Sequence, residues 1–477
     1  MPHKYMKLGR HFRALLLLAG PILLSQYAYL ASGMADTIMS GSLGTMYQAS
    51  VAVGSAIWVP VQMFITGTLY GVMIVISQHH GGDRHDELAA TGRQGLWLAL
   101  MLGLAGMGLL LLVPPNLTLF GVTPDVAEQA AIYLNYLVWG LPFSSLAIGM
   151  RFYCDGQKNV LPATIISIIT VLVNIVLNYG LMFGNLGMPN MGVAGTGLAT
   201  GISMALSALL FAAYVSIIPN YRHRRLLSSW ARPVRKNIGA LAAVGLPIGI
   251  ALISEFLVLS AIALCISTGG AVPIAAHQIS FNFMMVLFAI PTSTAMATSI
   301  LVANERGKGN RKGEQEAVLT SVAAGCGVGL ALTITMWLCA ETVAGVYSGD
   351  GAVISLATSI LRVAALFQLV DAVQICLNGA LRGIEDTVIP FLITSGTYWL
   401  LAFPLGYALS GMPLPFDLRR FIPDYGVVGW WFALVIGITL VALLLGRRVV
   451  RLFFGNRGAD TRAGVHDSAS EPSHSGV

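Results

Sequence analysis

Apolar residues in this chain come in long runs with few polar interruptions, not in the two-residue alternation of a half-buried strand. A helix needs roughly 20 such residues to cross the apolar core of a bilayer. Twelve stretches are long enough, at about 13–38, 49–77, 92–113, 127–151, 160–183, 192–218, 237–267, 274–303, 316–340, 352–380, 387–411 and 427–450. The short loops between them alternate in charge. Lys4, Lys7, Arg10 and Arg13 precede span 1, whereas the loop 39–48 carries no charge. Arg222, Arg224, Arg225, Arg232, Arg235 and Lys236 separate spans 6 and 7, and Arg306, Lys308, Arg311 and Lys312 separate spans 8 and 9. Arg447, Arg448 and Arg451 close the last span, and on the opposite side only the loop with Arg419 and Arg420 is basic. Basic loops stay on the cytoplasmic side. Both termini are therefore expected in the cytoplasm, as an even number of spans requires. The basic N-terminus followed by an apolar run imitates a signal peptide, but the run is too long for one and reads as span 1.

The halves of the pattern repeat. Gly20-Pro21-Ile22 in span 1 matches Leu246-Pro247-Ile248 in span 7, and the loop 80–84 parallels 306–310. Gly156 and Pro162 match Gly383 and Pro390, and Gly192-Val193-Ala194-Gly195 matches Gly426-Val427-Val428-Gly429. The separation stays between about 226 and 234 residues. Six spans per half insert both halves the same way up, related by an axis along the membrane normal, as in transporters built from parallel repeats. The expected fold is all-α and polytopic, with two pseudo-symmetric six-helix bundles around a central cleft. Its lobes are expected at 1–225 and 226–455, followed by a polar, disordered tail at 456–477.

Composition agrees with lipid as the solvent. Of 477 residues, 56% are hydrophobic and 10% charged, against about 25% charged in a soluble domain. The net charge of +6 sits in loops on one side, so it reflects topology and not a nucleic-acid partner. Cys154, Cys265, Cys326, Cys339 and Cys376 are scattered singly, without the spacing of a zinc site or disulfide framework. Phosphate-loop, HExxH and GxSxG patterns are absent. An enzyme is not expected, nor any cofactor beyond a coupling ion.

An ionisable group at the bilayer centre costs about 2.5–3.5 kcal/mol on insertion scales, so each one calls for a purpose. Away from span ends only Asp36, Glu255, Arg362 and Asp371 remain. Three are acidic, which favours cations in the cleft. Asp36 on span 1, Asn174 and Asn178 on span 5 and Thr196 at the start of span 6 fall at similar depth. The i,i+4 spacing of the asparagines puts both amides on one face. A carboxylate, two amides and a hydroxyl together suit Na⁺ or a proton on the carboxylate. The same asparagines would also serve to join neighbouring helices. Glu255 on span 7 and Asp371 on span 10 break the repeat, since the counterpart of Asp36 is Ile262. Arg362 is read as an interface anchor and His277 as orienting span 8. Gln278, Met284, Met285 and Phe288 on span 8 are candidates for an adaptable substrate surface, though the apolar three are equally plausible as ordinary packing.

The paired Gly-Pro and Leu-Pro openings, Asp36, Asn174-x-x-x-Asn178, the run 192–197 and Ala276-His277-Gln278 resemble the multidrug and toxic compound extrusion (MATE) family, nearest its NorM-type branch. The resemblance covers nearly the whole chain. It implies a drug/cation antiporter of the bacterial inner membrane that exchanges cationic or amphipathic drugs for Na⁺ or H⁺. It implies cation sites at Asp36, Asn174, Asn178 and Thr196 and at Glu255 and Asp371, with Gln278 near the substrate. Some relatives carry Tyr where this chain has Phe367, whose ring offers no hydroxyl to a cation. The protein is expected to work as a monomer among membrane lipids. The alternative is a flippase for a lipid-linked precursor, which would need cationic groups for phosphates, and Arg362 is the sole candidate.

Overall fold

A computed structural model describes residues 2–113, 117–118, 121–222, 226–227, 231–413 and 423–455 of the protein. Arg224, Arg225, Arg419, Arg420 and the tail 456–477 lie outside the described residues. All regular structure among the described residues is helical. Twelve helices are long and apolar enough to cross a membrane. They are α1 Gly9–Leu43, α2 Thr45–Gly81, α3 His85–Leu111, α4 Pro124–Asp155, α5 Leu161–Phe183 and α6 Val193–Ile217 in one half. In the other are α7 Arg235–Ser267, α8 Ala271–Gly307, α9 Arg311–Tyr347, α10 Gly351–Gly383, α11 Val388–Leu409 and α12 Val427–Phe454. The all-α, twelve-span reading therefore holds.

Several helices outrun their apolar stretches. α7 begins at Arg235 and α9 at Arg311, because hydropathy marks only the part that faces oil while backbone hydrogen bonding continues into water. Two spans are interrupted. A 3₁₀ turn at Val138–Gly140 breaks α4 just ahead of Pro142, and a π turn at Tyr398–Ala402 breaks α11 just ahead of Pro404. Proline has no N–H for the preceding turn, so the helix tightens or widens there.

The repeat extends to the backbone. Left-handed φ angles recur in matched pairs at Gly44 and Gly270, Asp83 and Gly309, Lys158 and Glu385, Gly184 and Gly411, and Gly192 and Gly426. Gly192 and Gly426 open α6 and α12 with φ of 55° and 56°, a region that a Cβ makes costly. Both halves thus enter their last helix through the same turn.

The halves meet along α2 and α7, with α8 packed against α1 and α2. The contact is lined by glycines at i,i+4 on both helices. A Cβ on Gly71 would stand 2.9 Å from the Gly245 nitrogen, and one on Gly245 only 1.8 Å from the Thr68 carbonyl oxygen. Backbones this close are the usual reward of small residues at helix interfaces. Hydrogen bonds that join the halves cluster where the basic loops lie. Ser77 Oγ donates to the Ile300 carbonyl at 2.8 Å, Gln78 Nε2 to the Gly383 carbonyl at 3.2 Å and Lys158 Nζ to Asn304 Oδ1 at 2.5 Å. The seam closes this basic end.

Candidate functional site

The first candidate site lies within the α1–α6 half. Asp36 is 7% exposed, and Asn174, Asn178 and Thr196 are fully buried. Hydrogen bonds join Asp36, Asn174 and Asn178, and Thr196 stands one turn before an Asp36 partner on α6. Asn178 Nδ2 donates to Asp36 Oδ1 at 2.7 Å and lies 3.2 Å from Asn174 Oδ1. Ser32 Oγ on α1 donates to Asn174 Oδ1 at 3.0 Å, which fixes the orientation of that amide. Thr200, which sequence reasoning missed, donates from Oγ1 to Asp36 Oδ2 at 3.4 Å. Its place one turn beyond Thr196 was the available signal, since i and i+4 share a helix face.

This cage is incomplete. Asn178 Oδ1, Thr196 Oγ1 and Asn174 Nδ2 are buried without a hydrogen-bond partner. Buried polar atoms are nearly always paired, so each exception calls for an explanation. Two of the three are oxygens, one on Asn178, which bonds Asp36, and one on Thr196, a turn from Thr200 on the same helix face, a donor set suited to a hard cation. Among the described residues no group of three or more His, Cys, Asp or Glu side chains forms.

A second polar centre lies within the α7–α12 half. Glu255 on α7 acts electrostatically on Asp371 on α10, and both act on Tyr398 of α11. Asp371 is 4% exposed and its Oδ2 has no partner. Gln368, one turn earlier, is fully buried with both amide atoms unpaired. Ion pairs between described residues involve Glu87, Asp155, Glu305, Glu314, Glu316 and Asp386, and not Asp36, Glu255 or Asp371. Glu255 does have a basic neighbour, which span-based reading discarded. Arg382, near the basic end of α10, lines one small cavity with Glu255, Pro247, Asn378, Thr387 and Thr394. Asp371, Asn378 and Arg382 lie seven and eleven residues apart, so they share one face of α10.

Arg362 is exposed, in keeping with an anchoring role. Ile262, the repeat counterpart of Asp36, is 1% exposed in the core. Phe367 is also buried there. His277 stacks on Phe281 at 6.0 Å and abuts Trp431 at 5.7 Å. Gln278 is exposed, and Met285 and Phe288 are half-buried. Met284 points the other way: it is 3% exposed and belongs to the packed core, because it shares the face of His277 seven residues earlier.

The MatE family model matches residues 21–180 and 247–408. The chain is 36% identical over 447 residues to multidrug resistance protein PmpM of Pseudomonas aeruginosa, covering 94% of this chain and 92% of that protein. It is 33% identical over 450 residues to multidrug resistance protein NorM of Aliivibrio fischeri, covering 94% and 96%. Among solved structures, the eukaryotic MATE transporter AtDTX14 superposes with a TM-score of 0.81 at 21% identity, covering 93% and 96%, a likeness of fold. This chain belongs to the MatE family of multi-pass membrane transporters.

Proposed function

We propose that this protein is a multidrug efflux pump of the bacterial inner membrane, expelling cationic and amphipathic compounds in exchange for Na⁺. The observation that carries this reading is the Asp36 cage, a carboxylate with two buried oxygens, on Asn178 and Thr196, left unpaired on the helices that hold it. A proton on Asp36 supplies one O–H donor and could satisfy only one of Asn178 Oδ1 and Thr196 Oγ1, whereas Na⁺ coordinates oxygen from carboxylate, amide and hydroxyl alike. H⁺ is the alternative coupling ion. Relatives from Pseudomonas and Aliivibrio are named for multidrug resistance, which supports the substrate class.

The positive-inside rule puts the basic end and both termini in the cytoplasm, so the closed seam faces inward, and on this reading the cleft between the lobes is accessible from outside. Cation entering from outside would reach the Asp36 site, while Glu255 and Asp371 form the second coupling site. Gln278, Met285 and Phe288 would contact substrate. The lobes, 1–225 and 226–455, would rock as units in a monomer. Arg382 adds a cation to the cavity, but it lies against a tyrosine ring and lacks the lysines a phosphate carrier would use.

Ethidium transport into inverted vesicles tests the reading. An imposed Na⁺ gradient should drive it and an imposed pH gradient should not. Transport that ignores both gradients, or that survives intact in Asp36→Asn, would remove the basis for coupling at this site.

A further inference from the structure

Arg382 stands between two partners in different halves of the molecule. Across the seam, its guanidinium carbon lies 5.4 Å from the ring centroid of Tyr70 on α2. Tyr70 is 6% exposed, and its hydroxyl donates to Ser299 Oγ on α8 at 3.2 Å. Ser299 in turn donates to the Gly379 carbonyl of α10 at 2.9 Å. The tyrosine is thus clasped by two helices of the other half. Within its own half, Arg382 shares a cavity with Glu255 and acts on it electrostatically without forming an ion pair. The buried hydroxyl of Thr394, which also lines that cavity, has no partner.

A half-buried guanidinium needs compensation. The Tyr70 face supplies part of it, and an ionised carboxylate nearby supplies the rest. Removing one member of a desolvated pair strands the other, which is far more costly than the pair itself. The remaining charged and titratable groups nearby do not replace Glu255. Asp371 and Tyr398 feel the Glu255 charge, but neither lines the cavity that Glu255 and Arg382 share, and Asp371 stands eleven residues, about 16 Å, along α10 from Arg382. Asp155, which also acts on Tyr70, is engaged by Arg151 at 3.2 Å.

We propose that Arg382 is a positioning residue that transmits neutralisation of Glu255 to the seam. With Glu255 ionised, the guanidinium is compensated and clasps Tyr70, which holds the basic end shut. A cation on Glu255 cancels that compensation, the guanidinium withdraws toward water at the basic end, and the halves are freed to part there. Cation capture in the cleft is thereby linked to opening on the opposite side, as exchange requires. The inference rests on the reading of Glu255 as a coupling carboxylate.

The test uses the full-length chain carrying Ser77→Cys, a seam position buried when the basic end is closed. N-ethylmaleimide labelling is measured against the background of the native cysteines. Glu255→Gln, which neutralises the carboxylate without any ion, should raise the labelling rate about fivefold or more. Arg382→Gln should raise it alone, and Glu255→Gln should then add nothing. Arg382→Lys should restore sensitivity to Glu255→Gln. Tyr70→Leu leaves both charges in place and should behave like Arg382→Gln, which covers the case of a poorly folded arginine variant. An equal response to Glu255→Gln with and without Arg382, or an unchanged rate in Tyr70→Leu, would overturn the proposal. No gradient enters this test, so its failure is distinct from failure of Na⁺-driven ethidium transport.

Discussion

Asp36 is kept in an apolar bundle by two donors that the chain supplies from two other helices, and their contributions are separable. Asn178 gives the short bond, 2.7 Å to Oδ1, and Thr200 the long one, 3.4 Å to Oδ2. A hydrogen bond to a charged group contributes about 1.5–3 kcal/mol, so Asn178→Leu should weaken cation-driven ethidium efflux by roughly 10- to 100-fold in apparent cation affinity. Thr200→Val should weaken it by less than tenfold, because a bond near the distance limit contributes less than about 1 kcal/mol. Measuring the half-saturating Na⁺ concentration for each variant checks the ranking, and equal effects would mean the two donors are not the ones that hold the carboxylate. Ion scarcity in the spans pointed to Asp36 because a buried charge is expensive wherever it lies. Thr200 and Gln368 escaped notice because neutral side chains carry no such penalty in a sequence. Its spacing from Thr196 was the one hint of Thr200, and Gln368 becomes visible only through its burial with both amide atoms unpaired.

At the scale of helices, the α2–α7 pair decides how closely the halves approach. Gly245 has no room for a side chain, since its Cβ would meet the Thr68 carbonyl at 1.8 Å. Gly245→Val should therefore push the seam apart. Overpacking typically costs about 1–3 kcal/mol, enough to shift the balance between closed and open basic ends by roughly 5- to 150-fold. Spin labels at the exposed Asp86 and Lys312 should report a longer distance in the variant than in the native chain. An unchanged distance distribution would show that the seam yields elsewhere. The repeat made the correspondence of helices between the halves legible, for matching turns at Gly192 and Gly426 need the same backbone, but it did not say that α2 packs against α7. The π and 3₁₀ interruptions were not legible, because a proline permits several local responses and the neighbouring helices select among them.

The whole molecule adds a pH response at the basic end. Lys158, in the loop between α4 and α5, donates to Asn304 across the seam at 2.5 Å. Burial, together with the nearby Lys308 and partly offset by Glu305, lowers its pKa from 10.5 to about 8. Between those values the separated halves bind the proton more readily than the closed ones, so rising pH favours closure there. Below about pH 8 the amine is charged in both states and the burial penalty stands in full. Raising the pH from 7.5 to about 9.5 should therefore slow labelling of Ser77→Cys once the reagent's own pH dependence is removed. Lys158→Met should flatten that response, and a response that persists unchanged would place the titrating group elsewhere.

The sequence by itself determined the solvent, the number of spans and the twofold repeat, because each is a sum over many residues and survives local error. It also exposed the buried carboxylates, whose cost is a property of the residue and its depth. Only the tertiary structure decided which end of the cleft is shut, which amide and hydroxyl atoms remain unpaired around Asp36, and that Arg382 reaches both Glu255 and Tyr70. Those facts depend on the register of helices far apart in the chain. Register is set by how side chains and glycines of both partners interlock, which no single helix encodes.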